Sequence, residues 1–178
     1  MLKAADVVRC SLMPLTLATR IGPDTLGKLE QAARRRYAEA RRLVSHEPLG
    51  AIYLFGYTVE MRLKAAYFRT VGLAPANILT SSRNIAEADI RSLLGIGGPV
   101  GHNLYGWAKL LENARVTTRG ATALPSGLAK EMYAHVQNIM ACWTEVLRYR
   151  ANKPYDDEIK AVRSGASWFK VNGRRLWS

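Results

Sequence analysis

The sequence is poor in the residues that bind metals or form covalent cross-links. It contains two cysteines, Cys10 and Cys142, and three histidines in 178 residues. Two cysteines so far apart make no disulfide framework, and the histidines show no metal-ligand spacing. We therefore expect no metal site, no cofactor and a reducing, cytoplasmic setting. Because 48% of the residues are apolar, one domain of this length can bury a sufficient core.

Long uncharged apolar runs are also missing. Charged residues interrupt every apolar stretch before it reaches about 20 residues, the length that a helix needs to cross a bilayer. The run from Leu12 to Ala18 contains Pro14, and no small-x-small cleavage site follows it. The sequence therefore predicts neither a transmembrane helix nor a signal peptide, and no membrane partner.

Acidic residues are scarce relative to basic ones. The 26 lysines and arginines exceed the 14 acidic residues, which gives a formal net charge of +12. A charge of this sign favours a polyanionic partner, with nucleic acid or a nucleotide first. The alternatives are an acidic protein partner, or a basic surface that serves solubility alone.

Helical periodicity dominates the pattern of apolar residues, and no segment alternates with the period of two that is typical of strands. The helical stripes occur in residues 24–44, 48–71, 104–111, 126 to about 154, and 155–169. With a short helix around Ile85–Leu94, they predict an all-α fold, an antiparallel up-and-down bundle of four to five main helices plus that short helix. We assign residues 1–22 to an N-terminal arm, 23–172 to the bundle and 173–178 to a C-terminal tail.

The second predicted helix carries two stripes rather than one. The first stripe consists of Ile52, Phe55, Gly56, Val59, Leu63 and Ala66, and the second of Tyr53, Tyr57, Glu60 and Lys64. A helix that is covered on two sides lies in the centre of a bundle. In the first helix, by contrast, the arginines at 34–36, 41 and 42 are too dense to be buried unpaired and indicate a solvated basic face.

Several common active-site patterns are missing. Gly95-Ile96-Gly97-Gly98 follows no strand and precedes no Gly-Lys-Ser/Thr, so we interpret it as a turn rather than a phosphate loop. There is no His-Glu-x-x-His and no Gly-x-Ser-x-Gly. Cys142 lies in an apolar stripe and is predicted to be a buried small hydrophobic residue.

Three short motifs stand out, in order along the chain. They are Tyr57-x2-Glu60-x3-Lys64 within Gly56-Tyr57-Thr58-Val59-Glu60-Met61-Arg62-Leu63-Lys64-Ala65, then Gly101-His102-Asn103-Leu104, then Trp143-x4-Arg148-Tyr149. Together they resemble the HEPN family of nucleotide- and nucleic-acid-associated domains over about Tyr37–Phe169. The resemblance implies an antiparallel helical bundle. The family usually has Asp where this chain has Asn103.

The motif residues suggest specific contacts. Glu60 and Lys64 are one helical turn apart and can pair, and an Arg148 beside Glu60 would form a bidentate bond. We place a structural role for this set first and a ligand role second. Asn103 is a predicted N-cap, and His102 a proton donor or phosphate contact. The candidate residues for binding nucleic acid or a nucleotide are Tyr57, Glu60, Lys64, His102, Asn103, Arg148, Tyr149 and Arg41.

The resemblance also raises the possibility of catalysis. HEPN ribonucleases carry an Arg-x(4–6)-His motif, in which arginine steadies phosphate charge and histidine moves a proton. After Arg148 the corresponding positions hold Lys153, Pro154 and Tyr155, so the catalytic histidine has no match. An Arg-x4-His string occurs only from Arg41 to His46, at the end of the first helix. The candidate catalytic residues are Arg148, His102 and His46, and none is assigned.

Three functions follow as hypotheses. The favoured one is a regulatory, non-catalytic HEPN-like module that binds nucleic acid or a nucleotide, within a toxin–antitoxin or defence system. The second is a metal-independent endoribonuclease toxin of the HEPN type, acting as a homodimer and inhibited by an antitoxin. The third is a non-enzymatic helical bundle whose basic surface binds an acidic protein.

Overall fold

The structure is a computed structural model that describes residues 24–149 and 153–178. The predicted N-terminal arm, with Cys10, lies outside the described residues. The side chains of Arg148 and Tyr149 lie outside them as well.

The described residues form six α-helices and two short 3-10 helices. The α-helices are α1 (Leu26–Leu43), α2 (Pro48–Thr70), α3 (Thr80–Leu94), α4 (Leu104–Thr117), α5 (Ser126–Cys142) and α6 (Asp156–Asn172), and the 3-10 helices are Glu145–Tyr149 and Gly173–Leu176. The only extended pairing in this part of the chain is a single bridge between Thr25 and Ile78. The predicted all-α bundle is thus confirmed. None of the described helices is long and apolar enough to cross a membrane.

Helix α2 is the centre of the bundle, as its two stripes predict. It packs against α1, α4, α6 and both 3-10 helices. Its first stripe is fully buried, and Glu60 and Lys64 of the second stripe are only 4% and 8% exposed. Because polar side chains are buried here together with apolar ones, α2 has no face that belongs to solvent alone.

Helices α1 and α2 are joined by a short turn and run antiparallel. Tyr37 stacks edge-on against Phe55 near one end of the pair, and Glu30 binds Arg69 near the other. The predicted solvated face of α1 is confirmed at Arg34, Arg35, Arg41 and Arg42, which are exposed. Arg36 is half-buried and pairs with Glu39.

Helix α3 is longer than the sequence pattern indicates. It begins at Thr80 rather than near Ile85, and Thr80, Ser81 and Ser82 lie in its first turn. Small hydroxylated residues are tolerated there, where the backbone N–H groups have no helical partner. Gly95 ends the helix in the left-handed conformation, with φ of 63°.

Helix α5 is shorter than predicted. It ends at Cys142 and does not continue to Pro154; Trp143 is extended, and a 3-10 helix follows it. Trp143 and Leu147 are buried although the backbone has left the helix before them. Their spacing in the sequence therefore resembles a continuation of α5. Ser126 is the first helical residue, and Pro125 precedes it without a side-chain cap.

The C-terminal residues pack against the bundle. Helix α6 begins with the three acidic residues of its first turn, and Glu158 accepts a hydrogen bond from the Tyr155 N–H at 2.7 Å. Tyr155 itself is 78% exposed, so its predicted place in the apolar stripe is wrong. In the segment set apart as a tail, Leu176 is fully buried in the core.

Candidate functional site

The turn that carries His102 is held in place by two hydrogen bonds. Asn103 Oδ1 accepts from the Gly106 N–H at 2.8 Å, which confirms Asn103 as the N-cap of α4. The Trp107 indole N–H donates to the Gly101 carbonyl oxygen at 3.1 Å. Because the turn is fixed on both sides of His102, the imidazole is presented to α2 from a defined position.

Glu60 lies at the centre of a polar cluster. Lys64 Nζ is 2.6 Å from Glu60 Oε1, and His102 Nδ1 is 2.8 Å from Glu60 Oε2. The Glu60 side chain is 5% exposed and that of Lys64 is 11% exposed. Burial of a carboxylate is costly unless it is paired and hydrogen-bonded, and here each oxygen of Glu60 has a partner.

The cluster favours the cationic form of His102. The hydrogen bond with Glu60 is the main cause that raises the pKa of His102, while partial burial and the charge of Lys64 oppose the rise and Glu145 adds to it. In the protonated ring, Nδ1–H donates to Glu60. The side chain is 41% exposed, so Nε2–H is the donor that can reach a ligand.

Aromatic rings surround the cluster. Tyr57 stacks edge-on against His102, with 5.6 Å between ring centroids, and against Trp143 at 5.5 Å. The Lys64 ammonium lies 5.1 Å from the centroid of the Trp107 ring. These contacts restrict the side chains of the cluster and reduce its access to water.

The structure brings together only some of the predicted site residues. Tyr57, Glu60, Lys64 and His102 meet where α2 faces the start of α4, and Asn103, the next residue after His102, caps that helix. The predicted Glu60–Arg148 bond and any contact of the Tyr149 side chain fall outside the described residues.

The remaining two candidates lie elsewhere. Arg41 is exposed in the last turn of α1, and His46 is exposed in the turn that leads to α2. No contact between described residues joins either side chain to Glu60. The Arg41–His46 string therefore contributes no side chain to the cluster through these contacts.

Sequence reasoning missed a second concentration of charge. Arg62 and Arg69 lie on the side of α2 that faces α1, with Arg34 and Arg174 nearby. Arg115 of α4 is 3% exposed and donates to the Ser178 backbone oxygen and the Thr122 hydroxyl, each at 3.0 Å. The sequence could have indicated the first group, because Arg62 and Arg69 lie on α2, the helix predicted to be central.

Comparison with known protein families, with curated proteins and with solved structures finds no match for the chain. The described residues contain no group of histidine, cysteine and acidic side chains that could hold a metal ion. The Glu60 cluster presents one partly exposed imidazole, which a buried carboxylate holds by a hydrogen bond that favours its cationic form. Such a group can donate a hydrogen bond to a phosphate oxygen.

Proposed function

We propose that the chain is a non-catalytic, HEPN-like helical module that binds nucleic acid or a nucleotide. The observation that carries the proposal is the basic face of α1. Arg35, Arg41 and Arg42 are exposed, and none of them forms an ion pair among the described residues. Unpaired arginines at the surface are suited to neutralise phosphates of a nucleic-acid backbone.

The acidic residues of α1 do not offset this face. Its two glutamates, Glu30 and Glu39, are engaged by Arg69 and Arg36 respectively. The positive charge of the remaining arginines is thus available to an external anion. The net charge of +12 adds a long-range attraction in the same direction.

The Glu60 cluster supports the proposal in a positioning role. Glu60 raises the pKa of His102 and so favours its cationic form, and the partly exposed imidazole can serve as one further phosphate donor. Cleavage of RNA would require a second proton-transfer group, and the positions after Arg148 that correspond to the family's histidine hold Lys153, Pro154 and Tyr155. We therefore favour binding over catalysis.

The test is the salt dependence of RNA binding. Binding of a labelled single-stranded RNA should weaken steeply as NaCl concentration rises. The double variant Arg41→Gln/Arg42→Gln should flatten the slope of log K against log salt by about 1.4, at about 0.7 for each lost phosphate contact on a single strand. The control Arg119→Gln/Lys130→Gln removes the same charge from other exposed positions and should leave most of the slope intact.

Two kinds of result would contradict the proposal. One is the absence of RNA binding at low salt, or binding that does not depend on salt. The other is RNA cleavage in EDTA that is lost in His102→Gln, which would establish an enzyme instead.

A further inference from the structure

Helix α2 carries charge on the side opposite to the Glu60 cluster. At about 100° per residue, Arg62 lies about 200° around the helix from Glu60. This side faces α1 and the C-terminal 3-10 helix. The two sets of charged residues on α2 therefore belong to separate sites.

Three segments meet here around a cavity of about 310 Å³, which we call the arginine pocket. The charged residues that line it are Arg34 of α1, Arg62 and Arg69 of α2, Arg174 of the C-terminal 3-10 helix, and Glu30. Gly173 and Trp177 complete its wall. Four arginines and one glutamate give the lining a net charge of +3.

Of the residues that the structure describes, Glu30 supplies the only carboxylate that lines the pocket, and both of its oxygens are bound by Arg69. Glu30 Oε1 accepts from Arg69 Nε at 2.8 Å, and Oε2 accepts from Arg69 Nη2 at 3.0 Å. The Arg69 guanidinium also lies 5.5 Å from the centroid of the Trp177 ring. Arg69 is thus fixed and neutralised, while the charges of Arg34, Arg62 and Arg174 have no ion pair among the described residues.

Arg62 is the least exposed of these three arginines. Its Nε is buried, and no described residue accepts a hydrogen bond from it. Burial is the main cause that lowers the pKa of Arg62, the charge of Arg34 lowers it further, and Glu30 opposes them. A half-buried guanidinium beside another arginine is unfavourable unless an anion offsets the charge.

We propose that the arginine pocket binds a phosphate group, with Arg34, Arg62 and Arg174 as the cationic contacts and Glu30 as the residue that positions Arg69. Planar guanidinium groups match the oxygens of phosphate. The cavity is larger than a phosphate ion, so a phosphate monoester with an attached group has room beside Trp177. None of Arg35, Arg41 and Arg42 lines the pocket, so this site does not depend on the residues of α1 proposed above to bind RNA.

The test compares inorganic phosphate, AMP and adenosine at constant ionic strength, by isothermal titration calorimetry and by the thermal shift of the protein. Phosphate and AMP should bind saturably and raise the melting temperature, whereas adenosine should do neither. Tighter binding of AMP than of phosphate would identify a monoester as the ligand class; equal or weaker binding would identify free phosphate. Arg62→Gln and Arg174→Gln should each weaken binding at least tenfold, and the control Arg119→Gln should not.

Arg62→Gln and Arg174→Gln each test the proposal separately. Arg174 is exposed, so its replacement leaves the core intact even if Arg62→Gln disturbs folding. The proposal is wrong if neither phosphate nor AMP binds at fixed ionic strength, or if Arg119→Gln weakens binding as much as the pocket variants do. Arg62→Gln should also retain the salt-dependent RNA binding of the wild-type chain, which separates this site from the proposed function.

Discussion

Glu60 joins two elements through one side chain. Its carboxylate is hydrogen-bonded to Lys64 of the same helix and to His102 of the turn before α4, and its side chain is almost fully buried. The first contact follows from helical spacing, because residues four apart share a face. The second depends on the packing of α4 against α2 and could not be predicted from spacing.

Replacing Glu60 should therefore be costly. Glu60→Gln keeps the shape of the side chain but leaves the buried ammonium of Lys64 without a counter-charge, for which we expect a loss of about 3–5 kcal/mol in the free energy of unfolding. The control is Glu39→Gln, which breaks the half-exposed pair with Arg36 and should cost no more than about 1 kcal/mol. Urea unfolding of the two variants measures both values. Equal losses would contradict a structural role for Glu60.

The pH dependence of that loss gives a second readout. A raised folded pKa means that the His102–Glu60 contact stabilises the fold fully below the unfolded-state pKa of about 6.5, and that this contribution disappears as pH rises through the folded value. The difference in stability between wild type and Glu60→Gln should thus be larger on the acidic side of this window than on the basic side. A difference that does not change with pH would mean that His102 gains nothing from Glu60.

At the scale of elements, periodicity predicted the helices but not all their ends. The two stripes of α2 were sufficient to identify it as central. The end of α5 could not be predicted, because Trp143 continues the apolar spacing of that helix while its backbone leaves it. The cause is a tertiary contact: the Trp143 indole N–H donates to the Tyr53 carbonyl oxygen at 3.1 Å, and the ring lies against Gly56.

The candidate site was predictable to a similar degree. The Lys64–Glu60 pair and the Asn103 cap follow from local rules about neighbouring residues. The arginine pocket does not, because Arg34, Arg62 and Arg174 come from three segments far apart in the sequence. Contacts of this kind depend on how elements pack, and that information is absent from any single segment.

The contact between Trp143, which follows α5, and α2 leaves no room for a side chain at Gly56. A Cβ at this position would overlap the Trp143 ring, so Gly56→Ala should destabilise the protein by about 1–3 kcal/mol through overpacking. The control is Gly127→Ala in α5, where nothing lies within 4 Å and the higher helix propensity of alanine should stabilise by up to about 1 kcal/mol. The two substitutions should thus shift the urea midpoint in opposite directions. A shift of the same sign for both would contradict the packing of Trp143 on Gly56.

At the scale of the whole molecule, the bundle is closed by residues far apart in the sequence. The C-terminal 3-10 helix packs on α2 and α6, and Arg115 of α4 donates to the Ser178 backbone oxygen. The same segment supplies Arg174 and Trp177 to the arginine pocket. A segment of six residues is too short to show a helical stripe, which is why the sequence alone suggested a tail.

Leu176 tests whether this segment belongs to the cooperative core. Its side chain is fully buried, so Leu176→Ala should leave a cavity and lower the free energy of unfolding by about 2–5 kcal/mol. Val171, nearby on α6, is 76% exposed, and Val171→Ala should change stability by no more than about 0.5 kcal/mol. Urea unfolding should show one transition for each variant, because a core contact is lost only when the whole bundle unfolds. Equal stability of the two variants would mean that residues 173–178 contribute nothing to the core.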